Sequence, residues 1–281
     1  MDTSNDSEPI RIVLALRLSE RDRALAVRYL LTPRSLSPKE RISALDVFDE
    51  LGASHIIIGK NTETFAAFYR TQVEKKYADI FLEQLLGTDN PEKTGTQLAR
   101  ETWQQILRDL QTWGLDLAGG IEQQCFIVFC GYWWQSFSKG YIREVAVFQE
   151  LERSGIQFTA HNLRQRQERF SSHDLIVHGF RGDVKTSAYF LHVARSFPLT
   201  NDFYLVRLYD PARRSWLDVV MMKPAMWQAL DGDTTPCELD EVAQLLPMPL
   251  LLMARDEALT VITYEEWKQR IMRLQVQKQE E

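Results

Sequence analysis

The chain has little cysteine, no long apolar run and no excess of positive charge. Each of these absences argues against a class of protein. Three cysteines without CxxC spacing favour a reducing cytoplasm. The longest apolar run, residues 125–134, is well short of the roughly 18 residues that cross a bilayer. The first eight residues are acidic and polar, unlike a signal peptide. We therefore expect a cytoplasmic protein with no membrane partner.

The net charge of −6 argues against a protein that coats nucleic acid non-specifically. The charge is nevertheless segregated along the chain. Residues 160–195 carry six basic side chains against three acidic ones, and they hold four of the five histidines. This segment therefore predicts a local basic surface within an acidic protein. The basic members are Arg164, Arg166, Arg169, Arg181, Lys185 and Arg195, and the histidines are His161, His173, His178 and His192.

The first half of the chain is mainly helical by pattern. Ser37 begins one helix with proline next and Glu40 three residues on, which is a capping box. Residues 62–86 predict a second, long helix that ends before a glycine. We expect residues 1–135 to form a mainly helical accessory domain, which contacts a protein partner or a second copy of the chain.

The second half, residues 136–281, alternates helices and strands and is predicted to be an α/β domain with a C-terminal helical extension. An aromatic helix is expected to end near Gly140, where the Ser-Lys-Gly sequence favours a break. The predicted order is then helix 141–154, strand 156–160, two strands within 174–187, helix 189–195, and strands 203–209 and 216–222.

The segment from His173 to Ser187 carries the candidate chemistry, because it places acids within apolar strands. Side chains alternate across a strand, so Asp183 and Lys185 share one face. A four-residue loop at 178–181 would put Asp174 diagonal to Asp183 on the neighbouring strand. The backbone positions of the two residues would then be roughly 7–8 Å apart. We expect a two-residue loop to keep the same face and to move Asp174 further from Asp183.

Two carboxylates and an ammonium on one face can hold a divalent metal against a phosphate. Hard oxygen ligands suit Mg²⁺ or Mn²⁺, which lower the pKa of bound water and stabilise charge on a phosphate. Lys185 can orient or deprotonate that water, or stabilise the transition state. A solvated surface hairpin is the alternative. Burying such charges in a central strand without a partner would be unfavourable.

The order of elements and these residues resemble the PD-(D/E)XK nuclease superfamily. That resemblance implies a restriction-endonuclease-like mixed sheet flanked by helices, over roughly residues 140–222. It implies that Asp174 is the second-strand Asp and that Asp183 and Lys185 are the Asp/Glu-x-Lys pair. It also implies that Glu144, eleven residues before the glycine that ends its helix, is the helical acid. The carbonyl of Val184 would be a further metal ligand.

Contacts with DNA are expected from the basic side chains near this hairpin. A solvated loop and a clamp on backbone phosphates fit the arginine-rich loop equally well. The histidines lack the spacing of a recognised zinc pair, and we interpret them as phosphate contacts or ordinary polar positions. The predicted DNA-binding residues are Arg164, Arg166, Arg169, Arg181, Thr186 and Ser187.

These patterns favour a metal-dependent nuclease that hydrolyses phosphodiester bonds in DNA. A second hypothesis is a catalytically inactive nuclease-like fold that binds DNA or regulates a partner. The acidic net charge and His173 in the place of the family's frequent proline keep this hypothesis open. A third hypothesis gives the function to the helical half and makes the hairpin a scaffold.

Overall fold

A computed structural model describes residues 10–187, 199–210, 215–231 and 259–280 of the chain. It is a mixed α/β protein that divides into two compact units. The first unit comprises Met1–Asp89 and Lys93–Ser138, and the second comprises Asn90–Glu92 and Lys139–Glu281. Among the described helices, none has the length and apolar character needed to cross a membrane.

The first unit combines helices with a small antiparallel sheet of three strands in the order β1-β2-β3. Its aromatic core includes Phe65, Phe126 and Phe129, all fully buried. The strands are β1 (Ile10–Val13), β2 (His55–Ile58) and β3 (Asn61–Thr64). The helices of the first half are α1 (Glu20–Leu31), α2 (Pro38–Gly52), α3 (Phe65–Phe68), α4 (Lys75–Leu86) and α5 (Pro91–Thr112).

Local sequence signals explain most of these helix ends. The predicted capping box of α2 is confirmed, because Ser37 Oγ accepts from the Glu40 N–H and Glu40 Oε2 accepts from the Ser37 N–H. The predicted single helix over residues 62–86 is wrong at its start. Residues 61–64 instead pair with β2, and Thr64 then caps α3. The β-branched threonines explain the preference for a strand there.

Helix α6 (Ile121–Arg153) is continuous, and the predicted break at Gly140 is wrong. A glycine inside a helix costs only about 1 kcal/mol relative to alanine. The residues beyond it bury an apolar face that includes Ile142, Val145 and Leu151, which outweighs that cost. The continuity matters because Glu144 lies on this part of α6.

The second unit is built on a mixed sheet of six described strands in the order β4-β5-β6-β7-β8-β9. The pair β6 and β7 is parallel, and the other neighbouring pairs are antiparallel. The strands are β4 (Thr159–Ala160), β5 (Leu175–Val177), β6 (Phe180–Lys185), β7 (Phe203–Asp210), β8 (Ser215–Met222) and β9 (Thr260–Thr263). Helices α7 (Pro224–Asp231) and α8 (Tyr264–Glu280) follow β8 and β9.

The hairpin between β5 and β6 has a two-residue turn instead of the four-residue loop on which the diagonal arrangement depended. Val177 pairs with Phe180 and Leu175 with Gly182, so only His178 and Gly179 form the turn. Both have positive φ, 50° and 87°, as a type I′ turn requires. Asp174 therefore lies one residue beyond the Leu175 pair and beside Asp183. The expectation that a short turn would separate these two carboxyl groups is wrong.

The two faces of β6 meet different surroundings. Gly182 lies against the ring of Phe203, the ring of Phe203 is 5.5 Å from that of Trp267, and Trp267 on α8 is fully buried. Side chains alternate along β6, so Asp183 and Lys185 point to the opposite face. The helix predicted over residues 189–195, and most of the segment between α7 and β9, lie outside the described residues.

Candidate metal and phosphate site

Strand β6 presents Asp183 and Lys185 on one face, as predicted from its alternation. Lys185 Nζ lies 2.6 Å from Asp183 Oδ2, and the lysine side chain is 32 % exposed. Val184 points the other way and is buried. The ammonium group of Lys185 therefore contacts one carboxylate, while part of the lysine side chain remains exposed to solvent.

Asp174 is held against β6 by its backbone and by its side chain. Its N–H donates to the Gly182 carbonyl over 2.9 Å, and its Oδ2 accepts from the Val184 N–H over 2.7 Å. Burial raises the pKa of Asp174 to about 9, and the nearby charges of Glu144 and Asp183 add to the increase. The carboxyl of Asp174 therefore carries a proton at neutral pH, and it is hydrogen-bonded to Asp183.

Glu144 on helix α6 contacts His161, and His161 in turn lies next to Asp174. The Oε2 of Glu144 is 3.1 Å from His161 Nε2, and His161 Nδ1 is 4.0 Å from Asp174 Oδ1. Phe148, one turn beyond Glu144, places its ring edge-on to the imidazole, with centroids 6.1 Å apart. Residues i and i+4 share a helix face, so α6 positions the imidazole with two side chains.

His161 is also fixed by its own backbone. Its N–H donates to the Asp174 carbonyl over 3.0 Å, directly after β4 pairs with β5. Its side chain is only 6 % exposed, and within the described part of the chain Nδ1 has no hydrogen-bond partner. A buried polar atom without a partner is unfavourable in a folded protein. The Nδ1 atom of the imidazole therefore faces Asp174 and is available as a ligand.

Asn201 completes the surroundings of Asp183. The asparagine is buried, and its Nδ2 donates to the Ser172 carbonyl over 2.9 Å and to Asp183 Oδ2 over 3.4 Å. It lies just before β7, the parallel neighbour of β6. Two cationic or amide donors, Lys185 and Asn201, thus converge on the same oxygen of Asp183.

The donor set fits a divalent cation. Ligand atoms of Glu144, His161 and Asp174 all lie within 4.8 Å of one another, and Asp183 contacts Asp174. Buried carboxylates repel each other and are stable only with a counter-charge or a proton. A bound divalent cation would supply that counter-charge.

The structure thus brings together the four side chains predicted to be catalytic, Glu144, Asp174, Asp183 and Lys185. The predicted metal ligand Val184 contributes its N–H to Asp174, and its carbonyl remains a predicted ligand.

The predicted DNA-binding residues lie around the same segment of the chain. The loop that carries Arg164 and Arg166 begins after His161 and returns to Asp174, so both of its ends are tied to the site. Both arginines are exposed. Arg169 is half-buried and uses its Nε to donate to the Leu163 carbonyl over 2.6 Å, which braces the loop.

The remaining three predicted contacts are on or after β6. Arg181 is exposed and shares the face of Asp183 and Lys185, whereas Thr186 and Ser187 are exposed just beyond the strand.

Two residues of the site lack a local sequence spacing that would assign their role. His161 is 17 residues from Glu144, and Asn201 is 18 residues from Asp183, so no short spacing joins them to their partners. The one usable signal is the position of His161 directly after a predicted strand. Comparisons of the chain with protein-family models, with curated proteins and with solved structures find no match.

Proposed function

We propose that the protein is a metal-dependent nuclease that hydrolyses phosphodiester bonds in DNA. The observation that carries the proposal is the convergence of Glu144, Asp174, Asp183 and Lys185 in one partly buried cluster. Carboxylates supply hard oxygen ligands for Mg²⁺ or Mn²⁺, and the lysine supplies a positive charge for a phosphate or an attacking water.

The order of elements supports a restriction-endonuclease-like core. Helix α6 precedes three antiparallel strands, β4 to β6, and β7 then pairs parallel to β6. A parallel pair requires a crossover connection, which usually contains a helix. The proposal is further supported by Glu144 on α6, Asp174 next to the second of the three antiparallel strands, and Asp183 with Lys185 on the third.

The chemistry divides between the metal and the protein. When bound, Mg²⁺ or Mn²⁺ lowers the pKa of a coordinated water and balances charge on the phosphate. Asp174 and Asp183 would hold the metal, and Asn201 contacts Asp183 and keeps it in place. Lys185, anchored on Asp183 and open to solvent, orients the water or donates to a phosphate oxygen.

DNA rather than a small phosphate ester is proposed because exposed basic side chains lie on the same segment of the chain as the site residues. Arg164 and Arg166 extend from a loop that both starts and ends at site residues. Arg181 extends from the face of β6 that carries Asp183 and Lys185. Arginine contacts to backbone phosphates position a nucleic acid without reading its sequence. The mainly helical first half would then provide partner binding or dimerisation.

Cleavage assays with paired substitutions test this function. Supercoiled, linear and single-stranded DNA are incubated with Mg²⁺ or Mn²⁺. We expect Asp183→Ala and Lys185→Ala each to lower the cleavage rate by at least about 100-fold, as losing a charge-stabilising group does. Lys39→Ala, an exposed lysine on α2, is the matched control and should cut at the wild-type rate. Equal rates for all four proteins would refute the assignment.

The alternative function is DNA binding or regulation without turnover. It is favoured by the acidic net charge of −6 and by the proton that Asp174 holds. Salt-sensitive DNA binding with no cleavage in either metal would select this alternative.

A further inference from the structure

The two ring nitrogens of the buried His161 side chain have different surroundings. Nε2 is 3.1 Å from Glu144 Oε2, whereas Nδ1 has no hydrogen-bond partner among the described residues and lies 4.0 Å from Asp174 Oδ1. The side chain is 94 % buried, as its exposed fraction of 6 % shows. This nitrogen therefore faces the cluster of carboxyl groups without a contact of its own.

Packing alone does not account for this position. A histidine that serves only the apolar core would bury its ring against apolar groups and satisfy both nitrogens. The His161 ring contacts Phe148 on one side but is set between two acidic side chains, Glu144 and Asp174. That arrangement leaves Nδ1 4.0 Å from an oxygen of the Asp174 carboxyl group, close enough for both atoms to be ligands of one ion.

The contact with Glu144 would determine which nitrogen binds. Histidine ligands commonly donate their second N–H to a carboxylate, which fixes the tautomer and raises the basicity of the free nitrogen. If Nε2 carries the hydrogen and donates to Glu144, the lone pair of Nδ1 points towards Asp174. The separation of 4.0 Å between Nδ1 and Asp174 Oδ1 would allow one ion to contact both atoms.

We propose that His161 binds the metal through Nδ1 beside Asp174, and that this site selects a first-row transition ion such as Mn²⁺ over Mg²⁺. This inference rests on the proposed nuclease site and specifies its metal. Magnesium prefers all-oxygen ligands and gives up its water reluctantly, whereas imidazole nitrogen favours transition ions. Glu144 then acts through His161, as a positioning residue for the imidazole.

Binding of Mn²⁺ to the full-length protein, followed by electron paramagnetic resonance, tests the proposal directly. The free-ion signal gives the dissociation constant, and competition with Mg²⁺ gives the selectivity. We expect Mn²⁺ to bind at least tenfold more tightly than Mg²⁺. Echo modulation of the bound ion should show a directly coordinated nitrogen, a readout that needs no variant and no enzymatic activity.

The variant His161→Gln removes the ring nitrogen and keeps an amide that can donate to Glu144. We expect it to weaken Mn²⁺ binding about tenfold or more, to change Mg²⁺ binding little, and to abolish the nitrogen modulation. His55→Gln, which changes an exposed histidine on β2, is the control and should bind Mn²⁺ as the wild type does.

The outcomes separate this proposal from the proposed function. A bound Mn²⁺ ion without nitrogen coupling overturns the histidine ligand and leaves a carboxylate-based nuclease intact. Equal affinities for Mn²⁺ and Mg²⁺ in the wild-type protein also overturn it. Nitrogen-coupled Mn²⁺ in a protein that cuts no DNA supports the histidine ligand and overturns the nuclease.

Discussion

The carboxyl of Asp174 should destabilise the metal-free protein, so that replacing it with asparagine makes the fold more stable. In the folded state, burial and the neighbouring Glu144 raise the pKa of Asp174 to about 9 from its ordinary value of 3.8. At neutral pH, folding must therefore bind a proton that the unfolded chain does not hold. Asparagine is neutral in both states and avoids that cost, which is how a functional residue can reduce stability.

The contacts of Asp174 suit an amide. Its Oδ2 accepts from the Val184 N–H over 2.7 Å, and a side-chain carbonyl can do the same. The amide N–H₂ can replace the proton that bonds to Asp183. At about 1.4 kcal/mol for each pH unit above 3.8, proton uptake costs up to about 4 kcal/mol at pH 7. Repulsion among the other carboxyls reduces the gain, so we expect Asp174→Asn to stabilise the protein by about 1 to 4 kcal/mol.

The pH dependence gives the prediction its sign. Because the pKa is raised in the folded state, the wild-type protein loses stability relative to the variant as the pH rises from 3.8 towards 9. The gain of Asp174→Asn should vanish near pH 4, grow with pH, and level off above pH 9. Saturating Mn²⁺ should reverse the order, since the ion stabilises the wild-type site and not the amide.

Urea unfolding in EDTA, followed by circular dichroism between pH 5 and pH 9, measures this difference. Glu152→Gln, an exposed acid on α6 in the same unit, is the control and should change stability by less than about 0.5 kcal/mol. The reasoning fails if Asp174→Asn has a native spectrum but is less stable than wild type at pH 8 without metal. It also fails if the gain does not depend on pH.

Two further substitutions test the basic loop and the hairpin. Replacing both Arg164 and Arg166 by alanine should weaken DNA binding at every sequence. In fluorescence anisotropy titrations, the slope of log affinity against log salt concentration should fall by about 2. An unchanged slope would show that the loop is only solvated. Gly182→Ala places a Cβ 2.1 Å from the nearest ring atom of Phe203, so thermal unfolding should show a loss of at least about 1 kcal/mol; wild-type stability would mean that the ring has room to move.

The hairpin shows how far the pattern of residues predicts this site. The alternation of apolar and charged residues is sufficient to place Asp183 and Lys185 on one face. The register of the hairpin is not set by that alternation. It depends on whether His178 adopts a positive φ, a conformation that is uncommon for any residue other than glycine. The two-residue turn brings Asp174 closer to Asp183 than the four-residue loop would.

Residues contributed by separate elements were harder to predict. His161 acquires its role only when α6 delivers Glu144 to one side and β5 delivers Asp174 to the other. Asn201 likewise reaches Asp183 because β7 runs parallel to β6. These contacts join residues on different elements, so no short spacing in the sequence predicts them. The predicted helix break at Gly140 is wrong for a related reason. Long-range packing of α6 overrides the weak local preference of glycine against a helix.

The most direct test of the central claim is cleavage of DNA in water labelled with oxygen-18. With Mn²⁺ present, the nuclease function predicts that each cut places one labelled oxygen on a product phosphate, detected by mass spectrometry. Lys185→Ala should bind Mn²⁺ but give no labelled product. Cuts without label, or wild-type protein that binds Mn²⁺ yet leaves supercoiled, linear and single-stranded DNA intact, would contradict the assignment of this site to phosphodiester hydrolysis.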